Sequence, residues 1–485
     1  MINPQIFRAY DIRGIAHKPA ASIPAGTIPD LTPETIFQIG KGAGTHFKRT
    51  SNANEPHIAV SYDCRLSNPE LAESFIKGLL ETGCRVTVIG MVPTPMLYFA
   101  VCRFGFDGGA SITASHNPKQ YNGVKLVGKN AGSICGDELQ EIRKLIENDD
   151  FESADATAAS TTDGSSKRDT LNVFPAYMEK LLDIVRLERP LKIVVDAGNG
   201  AAGPYIKSFF EALGCEVTPL YCEPDGNFPN HEANPEELEN LTDLIALVKK
   251  EHADVGLGFD GDGDRVGIVD ENGKNYTADL LLLLLARDSL ARRPGAKIVF
   301  DAKASSVLIK DIISHGGVPV MSPTGHSFIE KKMREEGAPL AGEISGHLFF
   351  AENYYGYDDA FLGAARLLSL LSDAAGPFSA LFKGIPETAC TPELKSPCPD
   401  DKKFQIVEKI TATFVQKYPC ITMDGVRVNF DANSWGAVRC SNTSPNLTIR
   451  FEAKTPQRLK EIVAIMLTEL EKYPEIDLWW ANEYK

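Results

Sequence analysis

Three stretches of the chain follow one order of residues, and that recurrence restricts the fold more than any other feature. "PHIAVSYDCRLSNPELAESFIKGLLETGCRVTVIG" runs from an apolar strand ending at Asp63, through a short loop and a helical segment, to a glycine and a second strand. "LKIVVDAGNGAAGPYIKSFFEALGCEVTPLY" repeats the order with Asp196 in the same place, and "AKIVFDAKASSVLIKDIISHGGVPVMS" repeats it with Asp301. Short Val/Ile-rich runs alternating with helices are the sign of βαβ units, whose sheets are covered on both faces. Three copies imply three similar mixed-sheet α/β domains. Ligands of such sheets gather beyond the carboxyl ends of the strands, so Asp63, Asp196 and Asp301 are expected on functional edges. The alternative is that each only caps the helix that follows.

The bulk properties bound the answer from outside. A chain of 485 residues with 43% hydrophobic content can bury several cores, because a single core stops growing at roughly 250–300 residues. A formal charge of −15 without a long basic block argues against nucleic acid as a partner, so an anionic ligand must be held by a local cluster. Ten cysteines without a CxxC pair suit a reducing compartment without structural zinc. The leucine run from Leu280 to Leu285 falls far short of the ~20 apolar residues that span a bilayer and reads as a buried helix. The stretch MINPQIFRAYDIRG lacks an apolar signal core, so secretion is not expected and the location is read as cytoplasmic.

The rest of the chain differs from the repeats. "NDDFESADATAASTTDGSSKRDT" lacks apolar periodicity and reads as a surface linker, and a second loop, broken by prolines, lies between about 15 and 31. From about 386 onward, alternating strands lead into "TPQRLKEIVAIMLTELEKY", an amphipathic helix. That order indicates a smaller α+β domain with an antiparallel sheet. The expected domains are 1–150, 170–275, 276–385 and 386–485.

Four segments carry chemistry. "DVGLGFDGDGDRVGIVDENG" sets Asp260, Asp262 and Asp264 two residues apart, and like charges this close repel unless a cation or firm hydrogen bonding compensates. An EF-hand fails because the sixth loop position, a required glycine, is Arg265, and because the flanks read as strands. A magnesium loop between two strands remains, with a plain acidic turn as the alternative. Such a site keeps open positions for phosphate oxygens, which makes Ser115 in "GASITASHNPKQYNGVKL" a candidate phosphate acceptor. Read alone, Ser115 is better explained as a turn serine. "LAGEISGHLFF" places Glu343, Ser345 and His347 at period two, so a local strand would point all three to one side; satisfied core polar residues would explain them too. "RCSNTSPNLTIR" packs Arg439, Ser441, Asn442 and Thr443 into one loop with the parts of a phosphate cradle, the alternative being an ordinary turn closed by Pro445.

Taken together, FRAYDIRG, TASHNPKQYNGVK, GFDGDGDR, GEISGH and RCSNTSP closely resemble the motifs of the α-D-phosphohexomutase superfamily, in particular its phosphomannomutase/phosphoglucomutase group, in family order along the whole chain. The resemblance implies four domains around a central active-site cleft and an isomerase that interconverts hexose 1-phosphate and hexose 6-phosphate. It makes Ser115 a phosphoryl carrier and Asp260, Asp262 and Asp264 ligands of Mg2+, with one phosphoserine oxygen completing the set. Hexose 1,6-bisphosphate is then intermediate and activator. Tyr10, Arg13, Lys125, Arg265, Lys303, His326 and His347 become active-site residues, with Arg13, Lys125 and His347 as candidates for acid/base work. Glu343 and Ser345 would read the 3- and 4-hydroxyls, so mannose and glucose phosphates should both be accepted. Arg439, Ser441, Asn442 and Thr443 would clamp the distal phosphate. Small phosphosugars are the expected partners of a monomer or weak dimer. The alternatives are a phosphoglucosamine mutase and a Mg-dependent sugar phosphatase.

Overall fold

Each repeat folds as its residue order dictates. A computed structural model describes residues 2–24, 26–51, 53–154, 167–442 and 444–484. The chain divides into two units, Met1–Ala278 with Ser345–Leu381, and Asp279–Ile344 with Phe382–Lys485.

The first unit opens with a sheet of β1 (Ile12–Ile15), β2 (His57–Tyr62), β3 (Arg85–Met91), β4 (Gly108–Ile112), β5 (Tyr121–Val127) and β6 (Arg168–Thr170), ordered β1-β5-β4-β2-β3-β6. β2 pairs in parallel with β3 and β4, whereas β5 runs antiparallel to both β4 and β1. The helix Asn68–Glu81 buries Leu71, Ala72, Phe75, Ile76 and Leu79, the three-to-four spacing that lays one apolar stripe on a sheet. β6 corrects the linker reading at one end: Arg168–Thr170 pairs in parallel with β3. Residues 155–166 of that linker lie outside the described residues.

A second sheet follows, of β7 (Leu191–Asp196), β8 (Cys215–Leu220), β9 (Val255–Phe259), β10 (Val266–Asp270) and β11 (Asn275–Tyr276), ordered β11-β10-β9-β7-β8. β7 is parallel to β8 and β9; β10 turns back antiparallel on β9. The acidic loop therefore joins two adjacent strands, as its flanks predict.

In the second unit, β12 (Lys297–Asp301) pairs in parallel with β13 (Val318–Ser322) and β14 (Leu340–Gly342). The leucine run lies on the helix Ala278–Arg292 and is buried from Leu281 to Leu285. No helix of the described residues is long and apolar enough to cross a membrane. The chain then returns to the first unit with β15 (Leu348–Phe350) and the helix Ala360–Asp373.

The strand expected across Glu343, Ser345 and His347 is not there. β14 ends at Gly342 and β15 begins at Leu348, and the intervening turn passes through Gly346 at φ 102°. Side chains other than glycine's rarely adopt that backbone conformation, so period two is broken between Ser345 and His347.

The last segment builds an antiparallel sheet in the second unit from β16 (Ala389–Cys390), β17 (Leu394–Pro397), β18 (Cys420–Ile421), β19 (Val426–Asp431), β20 (Ser434–Cys440) and β21 (Asn446–Ala453). Its core takes Ile462, Val463, Met466 and Leu470 from the helix Pro456–Leu470 and Ile406 and Ile410 from Asp400–Phe414.

The strand-end aspartates hold loops. Asp63 accepts from the Arg65 N–H and the Asn68 amide, Asp196 from the Gly198 N–H and His231, and Asp301 from the N–H groups of Lys303 and Ile344. None of these bonds reaches the first free N–H groups of the following helix, so the capping reading fails.

Candidate active site

Ser115 leaves β4 in the left-handed region, at φ 51°, which costs a non-glycine residue on the order of 1 kcal/mol or more and persists only where the surroundings over-determine it. Here they do. The Ser115 N–H donates to Thr113 Oγ1 at 2.8 Å, and that hydroxyl donates to Asp63 Oδ2 at 2.7 Å. Arg65, 1% exposed, spreads its fork over the loop. Nη2 donates to the carbonyls of Ser115 (2.7 Å) and Asn117 (2.6 Å), Nη1 to those of Pro118 and Tyr121 (2.9 Å each), and Nε to Asp63 Oδ2 (3.0 Å). A cavity of about 180 Å³ opens beside Ser115, with Asn117, Lys119, Asn227 and Glu232 on its walls.

The second sheet brings the acidic loop to this serine. Ser115 Oγ donates to Asp260 Oδ2 at 2.7 Å. Gly261 permits the approach, since a Cβ there would stand 2.5 Å from the Ser115 carbonyl oxygen. Asp260, Asp262 and Asp264 are all buried, and one oxygen from each can be chosen so that the three lie within 4.8 Å of one another. Lys125 Nζ donates to Asp262 Oδ2 at 2.8 Å and also to Asp264, while Thr94 Oγ1 donates to Asp262 at 2.7 Å. Asp262 Oδ1 and Asp264 Oδ1 have no hydrogen-bond partner among the described residues.

Charge explains what such an arrangement needs. Burial, reinforced by Asp264 and Asp262, pushes the Asp260 carboxyl well above its ordinary range. Burial would raise Asp264 too, but Lys125, His347 and Arg265 outweigh it and hold that carboxyl low. For Lys125, burial alone would lower the ammonium pKa; Asp262 and Asp264 reverse the sign and hold it well above normal. Buried carboxylate oxygens without partners are costly. Hard oxygen donors with no sulfur among them fit a small divalent cation such as Mg2+.

Arg265, just after the acidic loop, donates from Nε to His347 Nε2 at 2.9 Å and lies 3.8 Å from Asp260 Oδ2. Burial would lower the His347 pKa, yet Asp264 and Asp358 carry it above the ordinary histidine value. Arg13, buried, donates to the Ala114 carbonyl (3.2 Å) and Asn117 Oδ1 (2.8 Å) and pairs with Asp11. Tyr10 lies in the bend before β1, and Ser345 is buried in the turn between β14 and β15. The first unit thus gathers Ser115, Arg13, Lys125, the three aspartates, Arg265 and His347 into one connected network.

The second unit gathers another set. Lys303 follows β12 and pairs with Glu393; burial would lower its pKa, but Glu393 and Asp301 raise it, and the field of Glu343 acts in the same direction. Burial would raise Glu393, but Lys303 holds it at about 2. Asp424 Oδ2 accepts from Arg439 Nε (2.7 Å) and from the Thr324 N–H (2.9 Å), which fixes the loop leading into His326, the first residue of the helix His326–Glu336. The buried Lys403 donates to the carbonyls of Ser441 (2.7 Å) and Ser444 (2.9 Å). Asn442 reaches the Thr324 carbonyl at 3.4 Å. Thr443 lies outside the described residues. Cys440 belongs to the apolar core, and burial lifts its thiol to about 11, so it packs rather than reacts.

Sequence reasoning misses Arg65, Asp424, Glu393 and Lys403. Arg65 carried a signal, two residues after a strand-end aspartate in a loop expected to be functional. Lys403 carried none, since it is one lysine in an ordinary amphipathic helix.

Models of the phosphoglucomutase/phosphomannomutase family match in order: α/β/α domain I at residues 4–153, domain II at 175–273, domain III at 277–389 and the C-terminal domain at 393–469. A phosphomannomutase/phosphoglucomutase of Pseudomonas aeruginosa is 44% identical over 467 residues, 96% of this chain and 95% of its own. A phosphoglucomutase of Neisseria gonorrhoeae is 40% identical over 99% of both chains. The crystal structure of a phosphoglucomutase/phosphomannomutase family protein from Burkholderia thailandensis superposes with a TM-score of 0.86 at 38% identity, covering 97% of this chain and 98% of that one. With four family domains in order and close relatives along nearly its whole length, the chain belongs to the phosphoglucomutase/phosphomannomutase family.

Proposed function

We propose that this chain is a phosphohexose mutase that interconverts the 1- and 6-phosphates of mannose and glucose through a phosphoserine at Ser115 and a hexose 1,6-bisphosphate intermediate. The observation that carries the reading is Ser115 Oγ, held in a left-handed turn and 2.7 Å from Asp260 Oδ2 within a cluster of three buried carboxylates. The activities named for the relatives support the same reaction.

Asp260, Asp262 and Asp264 would hold Mg2+ with a phosphoserine oxygen, and the ion would offset charge on the phosphoryl group in transit. The chain's own residues supply the rest. Lys125, its ammonium held protonated by two carboxylates, adds positive charge beside the transferring group. Arg13 is likewise always a donor. Of the three acid/base candidates, only His347 has a lone pair to offer. Arg439, Ser441, Asn442 and Thr443 would bind the phosphate that is not being transferred, with Lys303 and His326 beside the sugar. Glu343 and Ser345 would take the 3- and 4-hydroxyls, which mannose and glucose share.

Parallel assays with glucose 1-phosphate, mannose 1-phosphate and glucosamine 1-phosphate, primed with a trace of hexose 1,6-bisphosphate, test the assignment. Turnover of the first two, well above the third, is expected; release of free phosphate without the 6-phosphate product would show a phosphatase instead. Two substitutions bear on the machinery. Lys125→Met should lower kcat by about 100-fold or more, the scale of a group acting directly on the transition state, and an unchanged kcat would remove Lys125 from the mechanism. Arg65→Lys keeps the charge but loses the fork. It should cost roughly 100-fold in kcat, because small displacements of a nucleophile are that expensive, with KM for the sugar changed only a few-fold. Equal losses in binding and turnover would contradict its role in aiming Ser115.

A further inference from the structure

The second unit holds a cavity of about 430 Å³ between the helix Ser306–Ser314 and the strands β18, β19 and β20, a volume typical of small-molecule sites. None of the residues assigned to the sugar or its phosphates lines it. Its wall carries a buried cation. Arg427 of β19 is 3% exposed, and the sheet register sets it diagonally opposite Trp435 of β20, close enough for the two side chains to meet. The guanidinium carbon lies 3.8 Å from the centroid of the indole ring.

That guanidinium is fixed on two sides and unused on a third. Nη1 donates to the carbonyls of Ala302 (2.8 Å) and Ala304 (2.7 Å), and the Trp435 ring covers one face. Nε and Nη2, which share the remaining edge, donate to none of the described residues, and Arg427 forms no ion pair among them. Burial pulls its pKa down to about 10 against the opposing field of Glu452, so the group is charged at neutral pH. A buried charge without a counter-ion is costly. The Nε/Nη2 edge is the fork that takes a carboxylate through two parallel hydrogen bonds, and here it is held ready for one. The rest of the wall suits an apolar molecule. Ile309, Pro419, Ile421 and Phe430 are apolar, whereas Ser306, Lys310 and Asp431 are already engaged. Ser306 donates to Glu452 through its N–H (2.9 Å) and hydroxyl (2.5 Å), Lys310 donates to Asn433 and the Ala432 carbonyl, and Asp431 pairs with Arg458 at 3.1 Å. A sugar would find few free partners for its hydroxyls there.

We propose that this cavity binds a small organic monocarboxylate with an apolar body, its carboxylate on the Nε/Nη2 edge of Arg427 and its body against Ile309, Pro419, Ile421 and Phe430. The ammonium of Lys310 adds a second positive charge on the wall. Binding there is independent of the mutase reaction, since the cavity shares no wall residue with the groups assigned to it.

Titration calorimetry of the full chain with benzoate, hexanoate and indole-3-acetate, each beside its uncharged amide, tests the site. At least one acid should bind with a dissociation constant on the order of 1 mM or below, and its amide at least about tenfold more weakly, the scale of hydrogen bonds between charged groups. Ile421→Trp fills the cavity from β18 without touching the Arg427 edge. It should abolish the binding at an unchanged melting temperature. A crystal soaked with 4-bromobenzoate reads the place directly and decides where Ile421→Trp does not fold: anomalous bromine density beside Ile421 and Phe430, with the carboxylate on Arg427, is the expected result. Binding of none of the three acids, equal binding of acid and amide, binding that survives Ile421→Trp in folded protein, or bromine only elsewhere overturns the proposal. Inorganic phosphate that displaces the acid and binds as tightly also overturns it, since the apolar body would then contribute nothing.

Discussion

Ser115→Ala should abolish mutase turnover, with a loss of roughly 10⁴-fold or more, the scale seen when a covalent nucleophile is removed. Oγ of Ser115 lies 2.7 Å from Asp260 Oδ2 in the acidic loop, with His116 Nδ1 3.3 Å from the same oxygen. The framework of Arg65, Thr113 and Asp63 engages backbone groups of the loop, so the variant should keep its fold and its affinity for sugar phosphate. Mass spectrometry of the isolated wild type should find phosphate on Ser115 and none on the variant. A variant that still turns over, or a wild type that never carries phosphate there during turnover, would falsify the phosphoserine mechanism.

Asp262→Asn should be nearly as damaging. Its carboxylate accepts from Thr94 and Lys125 through Oδ2, while Oδ1 is buried without a hydrogen-bond partner among the described residues. An amide at this position removes one negative charge from a set whose repulsion is offset by Lys125, Arg265 and His347 and would be offset further by a bound cation. Affinity for Mg2+ should fall at least tenfold and kcat at least 100-fold, because the ion and Lys125 both lose a partner in a buried site where charge is weakly screened. Titration calorimetry with Mg2+ reads the first effect separately from activity. Stripping the wild type with a chelator should reproduce the kinetic loss, and added Mg2+ should reverse it. Unchanged Mg2+ affinity in Asp262→Asn would move the metal elsewhere.

The legible parts of the molecule are those encoded locally. Period-two and period-3.6 apolar patterns, punctuated by Gly83, Gly214 and Gly316, identify the βαβ units, since each strand and helix buries its own stripe. Asp260, Asp262 and Asp264 lie within five residues of one another, so their mutual repulsion, and hence the need for a cation or firm hydrogen bonding, can be argued from spacing alone. The turn at Gly346 shows where local reasoning fails. Glu343, Ser345 and His347 alternate as a strand would, but backbone dihedrals are not visible in alternation, and at φ 102° the chain reverses that geometry.

By itself, then, the sequence determined the α/β repeats, the strand-end aspartates and the acidic loop, and its resemblance to a family pointed to Ser115 as the phosphoryl carrier. Tertiary structure alone decided how those parts are aimed. Arg65 meets carbonyls 50 to 56 positions away, Lys403 meets carbonyls 38 and 41 positions away, and Ser115 meets Asp260 across 145. Such bonds depend on which sheet edges face one another. A single buried cation can satisfy several carbonyls at once wherever the fold brings them together, and no periodicity in the chain records that meeting.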